Sequence, residues 1–213
     1  MATGDWVFFF DSLGRPRYRN LATGQFLSAP NVLALADEAI AVSGGGVAQA
    51  SELLLADKLS VAEWVTAFRK QLKIEYSQEY LLGRGGIGQM TQSDYGRIGG
   101  LLRDQYRYLD RFAKEVAEGN LSPGQIRYRS DLYAKSAREA YERGLAVASK
   151  EAGNDEEIWI LDPAVENCPG CVGFAGLGWV KIEDNAYDGA YPGSGATVCL
   201  TNCHCHIEYR KAE

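Results

Sequence analysis

All five cysteines of this 213-residue chain lie between residue 168 and the C-terminus, together with both of its histidines. Two residues separate Cys168 from Cys171, a spacing that lets two thiolates turn back on one metal ion, and a second cysteine cluster can complete a tetrahedron. Sulfur-rich tetrahedral sites hold Zn²⁺ or iron–sulfur clusters, and the sequence lacks the compact cysteine runs of ferredoxins. The pattern therefore predicts a zinc site.

A zinc site normally closes with four ligands, whereas this segment offers five thiols and two imidazoles. The spacing favours a ligand set of two cysteine pairs, namely Cys168, Cys171, Cys199 and Cys203. Cys205 is the substitute for the fourth ligand, because it would share a face with Cys203 if residues 203–209 formed a strand. The sequence leaves the choice between these two thiols open.

The two histidines, His204 and His206, would point to the opposite face of that strand. We therefore interpret them as surface or subunit-contact residues and not as ligands.

With four sulfurs available, the zinc is expected to be structural, since a catalytic zinc keeps three protein ligands and one open position. The sequence thus predicts a protein that is not an enzyme. The alternative from another class is a zinc-dependent nuclease or hydrolase, whose nearest carboxylates would be Asp162, Glu166 and Glu208.

The composition, 46% hydrophobic and 23% charged, is that of a globular chain. The odd number of cysteines argues against a disulfide framework, and Met1 to Leu13 lack the basic region, apolar stretch and cleavage site of a secretory leader. No apolar run approaches the roughly 18 residues that span a bilayer. We expect neither a membrane protein nor a secreted one.

The net charge of −6 is unevenly distributed. Residues 1–150 carry 19 basic and 17 acidic side chains, a net +2, whereas residues 151–213 carry 3 basic and 11 acidic ones, a net −8. Zinc fingers that bind nucleic acid gain most of their affinity from Lys and Arg that neutralise phosphates. An acidic zinc unit is therefore expected to contact protein.

The chain divides into three zones, which together predict an α+β fold that is mainly α. Residues 1–29 have the short aromatic and alternating segments of a β meander, residues 30–150 have the apolar spacing of a helical bundle, and residues 151–213 form a small zinc-stapled unit. Within the bundle we predict helices over 31–42 and 47–57, separated by three glycines, and longer ones from Ser60 to about Leu82, from about Ser93, and from Ser122 to about Lys150.

Two glycine-rich segments resemble nucleotide-binding loops. Residues 83–88 match G-x-G-x-x-G, but that motif requires a preceding strand, and a helix is predicted here. These glycines are expected to cap one helix and turn into the next. Residues 192–195 lack the Lys-Ser/Thr ending of a phosphate loop, so a turn is expected there too.

Two sets of basic residues are candidate contact surfaces. Arg15, Arg17 and Arg19 alternate along the second predicted strand, either as a charged edge that discourages aggregation or as a contact for an acidic partner or phosphate. The third long helix carries cations at spacings of four, four and three, which form either a solvated face or a docking surface for an acidic protein or DNA. These residues are Arg103, Arg107, Arg111 and Lys114.

Two parts of the chain carry a likeness to a known family. The first is an aspartate, a cysteine pair and a closing Asn-Cys-x-Cys, found in Asp162-Pro163, Cys168 to Cys171, Pro192 to Gly195 and Thr201 to Cys205. The second is spread over the helical body and the segment before it, in Tyr18 to Ser28, Asp94 to Gly96 and Gln105 to Leu109. With these residues the chain resembles the minor head, or head morphogenesis, proteins of tailed bacteriophages. The cysteine motif is the specific part of the likeness.

The resemblance implies a virion structural protein, present in a few copies near the portal, that acts in head assembly, DNA retention or ejection. The implied partners are the portal protein, the major capsid protein or packaged DNA, and the chain would be oligomeric in a virion assembled in the bacterial cytoplasm. A head–tail adaptor and a capsid-binding cement protein are alternatives within this class. Many members have a histidine where this chain has Leu200, so the ligand role of the adjacent Cys199 is an inference.

Overall fold

The computed structural model of the protein describes residues 6–10, 16–20, 23–27 and 29–212. The fold is α+β and mainly α, as predicted. Within the described ranges, no helix is both long enough and apolar enough to cross a membrane. The elements are β1 (Trp6–Phe10), β2 (Pro16–Asn20), β3 (Phe26–Leu27), α1 (Ala29–Leu55), α2 (Val61–Arg84), α3 (Gln92–Ala117), α4 (Pro123–Lys135), α5 (Arg138–Glu151), β4 (Glu156–Ile160), α6 (Pro169–Ala175), β5 (Val180–Lys181) and β6 (His206–Arg210).

The predicted N-terminal meander is present, with β1, β2 and β3 joined in that order as an antiparallel sheet. Tyr18 on β2 is buried, and its hydroxyl oxygen lies 3.2 Å from that of Tyr141 on α5. Leu27 packs against the same core. The meander therefore packs on the helical body, as a ribbon too small to be stable alone requires.

The first helical segment differs from the prediction. α1 is one helix of 27 residues that continues through the three glycines at 44–46, where the sequence predicted two shorter helices. A glycine costs a helix up to about 1 kcal/mol relative to alanine, but tertiary packing outweighs that cost here. A Cβ at Gly44 would lie 3.0 Å from the Cβ of Ala134, so the small residue lets α4 approach, and the next turn buries Val47.

The sequence predicted one long helix at the end of the bundle, but the structure has two, α4 and α5. The break lies at Ser136. Its hydroxyl donates to the backbone carbonyl of Tyr133 at 2.6 Å and accepts from the hydroxyl of Tyr76 at 2.8 Å. A serine that bonds to the backbone in this way competes with the helical ladder.

Local capping sets the ends of α2. Ser60 and Glu63 form the predicted capping box, in which the Glu63 carboxylate accepts from the backbone N–H of Ser60 at 2.8 Å. The helix ends at Gly85, whose φ of 90° lies in the left-handed region that favours glycine. α2 thus runs into the G-x-G-x-x-G segment at residues 83–88, and Gly85 of that segment caps the helix, as expected.

Two glycines let α2 and α5 cross at close range. A Cβ at Gly83 would lie 2.1 Å from the backbone oxygen of Tyr141, and a Cβ at Gly144 would lie 2.5 Å from the backbone oxygen of Tyr80. Real Cβ atoms cannot approach backbone this closely. The first glycine of the G-x-G-x-x-G segment is therefore needed for helix packing.

We expect Gly83→Ala to destabilise the protein by about 3 kcal/mol or more, because an added methyl group meets backbone that cannot move aside. The matched control is Gly99→Ala on α3, where nothing lies within 4 Å of the added Cβ. That change should be neutral or stabilising by about 0.5–1 kcal/mol, as expected when alanine replaces glycine at a solvent-exposed position in the middle of a helix. Urea unfolding of both variants checks the prediction, and equal midpoints would contradict it.

The buried side chains form two cores. The bundle core lies between α1, α2, α3, α4 and α5 and includes Trp64, Phe68, Leu72, Leu109, Phe112 and Ile126. The second core joins the C-terminal sheet, whose strand order is β5-β4-β6, to α5 and to the meander, and includes Tyr18, Tyr141, Leu145, Trp159, Tyr187, Ile207 and Tyr209. The zones predicted at 30–150 and 151–213 therefore share a core across their boundary.

A buried glutamate in the bundle should make stability depend on pH. Glu75 on α2 is 1% exposed, and burial raises its pKa from 4.5 to about 8. Between these values the folded chain holds a proton that the unfolded chain has released. The free energy of unfolding should therefore fall as pH rises from about 4.5 through about 8.

The Glu75→Gln variant should lose the part of this pH dependence that Glu75 contributes, while Glu157, whose pKa burial raises to about 7, keeps a smaller slope. At pH 9 the variant should be more stable than the parent by on the order of 2–4 kcal/mol. Urea titrations between pH 5 and pH 9 measure the free energy of unfolding of both proteins. The expected difference follows from burial as the main cause of the raised Glu75 pKa. Glu118→Gln, at an exposed position on the surface of the bundle, should keep the parent's slope. A Glu75→Gln variant with that same slope would contradict the assignment.

Candidate metal centre

The first two cysteines lie at the start of α6. Cys168 is the N-cap residue, and its Sγ accepts from the backbone N–H of Cys171 with an N···S distance of 3.5 Å. Pro169 occupies the first helical position, where a missing N–H costs nothing. One turn further on, Cys171 is 1% exposed. The C-x-x-C spacing thus places both thiols at one end of the helix.

The other three cysteines lie at 199–205, in a loop that α4 and α5 hold in place. Gly170 of α6 also lies close to this loop, since a Cβ there would be 3.0 Å from Cγ2 of Thr197. Three side-chain hydrogen bonds fix the loop on the helices: Thr201 to the carbonyl of Leu132 (2.8 Å), Lys135 to the side chain of Asn202 (2.9 Å), and Arg138 to the carbonyl of Cys205 (3.2 Å).

All five thiols come together in two groups that share Cys171. Within each group the sulfurs lie within 4.8 Å of one another, and the groups are Cys168, Cys171 and Cys199, and Cys171, Cys203 and Cys205. The Sγ of Cys171 lies 3.8 Å from that of Cys199 and 3.7 Å from that of Cys203. The predicted cluster is therefore present, and it can hold a metal ion.

The pKa values of two of the thiols are lowered. Hydrogen bonding with the Cys203 thiol lowers the pKa of Cys205 to about 5, against the effect of burial. Burial also opposes ionisation of Cys168, but hydrogen bonds from Cys171 and Cys199 lower its pKa to about 7. Burial raises the pKa of Cys171. Because metals bind thiolates, ion binding at this cluster must release protons, and the affinity must rise with pH.

The histidines face carboxylates. Nδ1 of His204 lies 3.9 Å from Asp162, and Nε2 of His206 lies 3.4 Å from Glu208. Among the described residues, neither histidine belongs to the two groups of candidate metal ligands. β6 begins at His206, so residues 203–205 do not belong to the strand, and strand alternation does not set the direction of the His204 side chain.

Polar side chains beside the thiols were missed by the sequence analysis. The hydroxyl oxygen of Thr197 lies 3.0 Å from Sγ of Cys199, and the side-chain oxygen of Asn167 accepts from the Cys205 thiol at 3.6 Å. With the cysteines, Asn167 lines a cavity of about 170 Å³. Asn167 and Arg138 lie 38 and 67 residues from the cysteine that each contacts, so local spacing carries no signal for them.

None of the described residues of the two predicted basic surfaces lines the cavity beside the cysteines. Arg103, Arg107, Arg111 and Lys114 are exposed on α3. Arg17 and Arg19 lie on β2 with the buried Tyr18 between them, and Arg19 donates to the carbonyl of Gly24 at 3.3 Å. Arg15 is outside the described residues.

Comparisons with models of protein families, with curated proteins and with solved structures find no match to this chain.

Proposed function

We propose that the cysteine cluster binds one structural Zn²⁺ through Cys168, Cys171, Cys199 and Cys203. A tetrahedral zinc with bonds of about 2.3 Å has sulfur–sulfur edges of about 3.8 Å. The distances from Cys171 to Cys199 and to Cys203, 3.8 and 3.7 Å, match that edge. This match of two edges, both from the thiol that the two groups share, is the observation that carries the proposal. Cys205 stays the substitute ligand, because it shares the second group with Cys203.

Metal analysis of paired serine variants tests the ligand set. The purified chain should contain close to one zinc, Cys203→Ser should lose it, and Cys205→Ser should retain it. The reverse result would make Cys205 the fourth ligand. A folded parent protein that takes up no zinc when the ion is supplied would overturn the proposal.

We further propose that the protein is a bacteriophage virion structural protein of the minor head type, located near the portal. The sequence likeness supports this role, and so does the use that the fold makes of the cluster. A metal bound by Cys171 and by cysteines of the loop at 199–205 would link α6 to that loop, which contacts α4 and α5. The metal would therefore hold the acidic unit at 151–213 on the helical body. That unit would contact the portal or capsid protein, while the cations of α3 are available to a partner or to packaged DNA.

Copy number in purified virions tests this role. A protein near the portal should be present at about a dozen copies or fewer, since a ring of subunits sets the number by its symmetry. A cement protein would be present in hundreds of copies. Quantitative mass spectrometry of virions distinguishes them, and asymmetric electron-microscopy reconstruction separates a head–tail adaptor from an internal protein. Absence of the chain from virions would overturn the proposal.

A zinc-dependent hydrolase is the second candidate, because two histidine–carboxylate pairs lie near the cluster, His204 with Asp162 and His206 with Glu208. Replacing His204, His206 and Glu208 with alanine should abolish any nuclease or hydrolase activity while zinc content stays unchanged. If the parent has no such activity, or the triple variant keeps it, these residues are not catalytic.

A further inference from the structure

The cations on α3 and an acidic turn near the C-terminus are complementary in charge. We define the α3 stripe as Arg103, Arg107, Arg111 and Lys114, and the acidic turn as Glu183, Asp184 and Asp188. We propose that the α3 stripe of one copy of this chain binds the acidic turn of a second copy. This inference deepens the proposed function and rests on it for the expectation that copies assemble.

The α3 stripe keeps an excess of positive charge. At 1.5 Å per residue it extends over about 16 Å of helix surface. Asp104 is shared by two arginines, 3.8 Å from Arg103 and 3.0 Å from Arg107. Lys114 lies 3.8 Å from Glu118, and Arg111 makes no ion pair with any described residue. Four cations against two carboxylates leave +2.

Neighbouring acids on α3 do not change this balance. Asp110 pairs with Arg69 of α2, and Glu115 pairs with Arg129 of α4. Both carboxylates are thus already matched by cations outside the stripe. The exposed fractions of the side chains of Arg103 and Lys114, 75% and 77%, show that the described part of the chain leaves the stripe open to a partner.

The acidic turn is preformed. Asn185 and Asp188 have positive φ angles of 49° and 52°. The backbone N–H of Asp188 donates to the carbonyl of Asn185 at 2.8 Å, and that of Gly189 donates to the side chain of Asn185 at 3.0 Å. A fixed turn loses little conformational entropy when it binds.

The turn also keeps an excess of negative charge. Among the described residues, the turn has one ion-pair partner, Lys181, which lies 3.9 Å from Glu183, whose side chain is 79% exposed. Three carboxylates against one lysine leave −2, equal and opposite to the stripe.

A second copy fits these charges better than DNA does. Two uncompensated cations release few counterions from a polyphosphate, so they supply little DNA affinity, whereas the acidic turn offers a local charge of equal size and opposite sign. Within the described part of one chain, no ion pair links the stripe to the turn. The two surfaces can therefore meet only between copies, in a closed dimer or head to tail.

Analytical ultracentrifugation of the full chain tests the inference. At about 50 mM salt the parent should form assemblies that dissociate at about 500 mM, where screening is strong. Arg107→Glu with Arg111→Glu should abolish assembly, and so should Glu183→Lys with Asp184→Lys. An equal mixture of these two charge-reversed variants should assemble again, because each surface then finds its complement.

The matched control reverses two exposed lysines on α2, Lys70→Glu with Lys73→Glu, which changes net charge by the same amount as the stripe variant. This control should assemble like the parent.

A parent that stays monomeric at low salt, a control that fails to assemble, or a mixture that stays dissociated would each overturn the inference. Salt-dependent binding of a DNA duplex that the stripe variant alone loses would assign the stripe to DNA instead. If virions contain a few copies of the chain but the purified chain never self-associates, this inference is wrong and the proposed function still holds.

Discussion

Replacing Cys171 with serine should remove the metal and destabilise the C-terminal unit more than any other single substitution of a cysteine. Cys171 belongs to both thiol groups and is 1% exposed, so every arrangement of ligands in the cluster uses it. Structural zinc contributes on the order of 10 kcal/mol of apparent binding free energy at neutral pH. The thermal midpoint should fall by about 20 °C or more, since 1 kcal/mol corresponds to about 2–4 °C in a chain of this size.

Calorimetry with and without a chelator separates metal loss from lost packing. The chelator should lower the midpoint of the parent protein to near that of Cys171→Ser and should have little further effect on the variant. Cys205→Ser should respond to the chelator as the parent does. If the chelator leaves the parent unchanged while Cys171→Ser unfolds early, the thiol acts through packing and the zinc proposal fails.

Asp94→Ala should cost about 3–5 kcal/mol, because it removes the buried carboxylate partner of Arg84 and leaves that buried arginine with the exposed carboxylate of Glu151, 2.8 Å away. The side chains of Asp94 and Arg84 are 0% and 3% exposed, with Nε of Arg84 3.3 Å from the Asp94 carboxylate. Asp94 also accepts from the hydroxyl of Tyr80 at 2.9 Å and from the backbone N–H of Thr91 at 2.8 Å. Burial opposes ionisation, but these hydrogen bonds and the Arg84 charge outweigh it, and the pKa of Asp94 lies below its ordinary value.

The matched control is Asp110→Ala, which removes an ion pair with Arg69 on the exposed surface. An exposed pair contributes about 0–1 kcal/mol. Chemical denaturation should therefore show a large loss for Asp94→Ala and a small one for Asp110→Ala. Similar losses in the two variants would show that the buried network does not stabilise the turn between α2 and α3.

Features that depend on neighbouring residues could be predicted from the sequence. The capping box of Ser60 and Glu63, the glycine cap at Gly85 and the thiol pair at the start of α6 all involve residues within four positions of one another. Their interactions form as soon as the local backbone does, so spacing alone indicates them. The same holds for the meander and for the α3 stripe, which follow from strand and helix periodicity.

Features that depend on distant residues were decided by packing. The sequence predicted a break at the glycines of α1, but the approach of α4 at Gly44 keeps the helix continuous. A strand over residues 203–209 would have placed Cys203 and Cys205 on one face, but β6 begins at His206, and a loop held by Arg138, 67 residues from Cys205, brings both thiols to Cys171. The sequence by itself determined that these cysteines form a cluster able to bind a metal ion, because residue type and local spacing are sufficient to predict such a cluster. Tertiary structure decided which sulfurs are neighbours, because the loop follows contacts with α4 and α5 that no local spacing encodes.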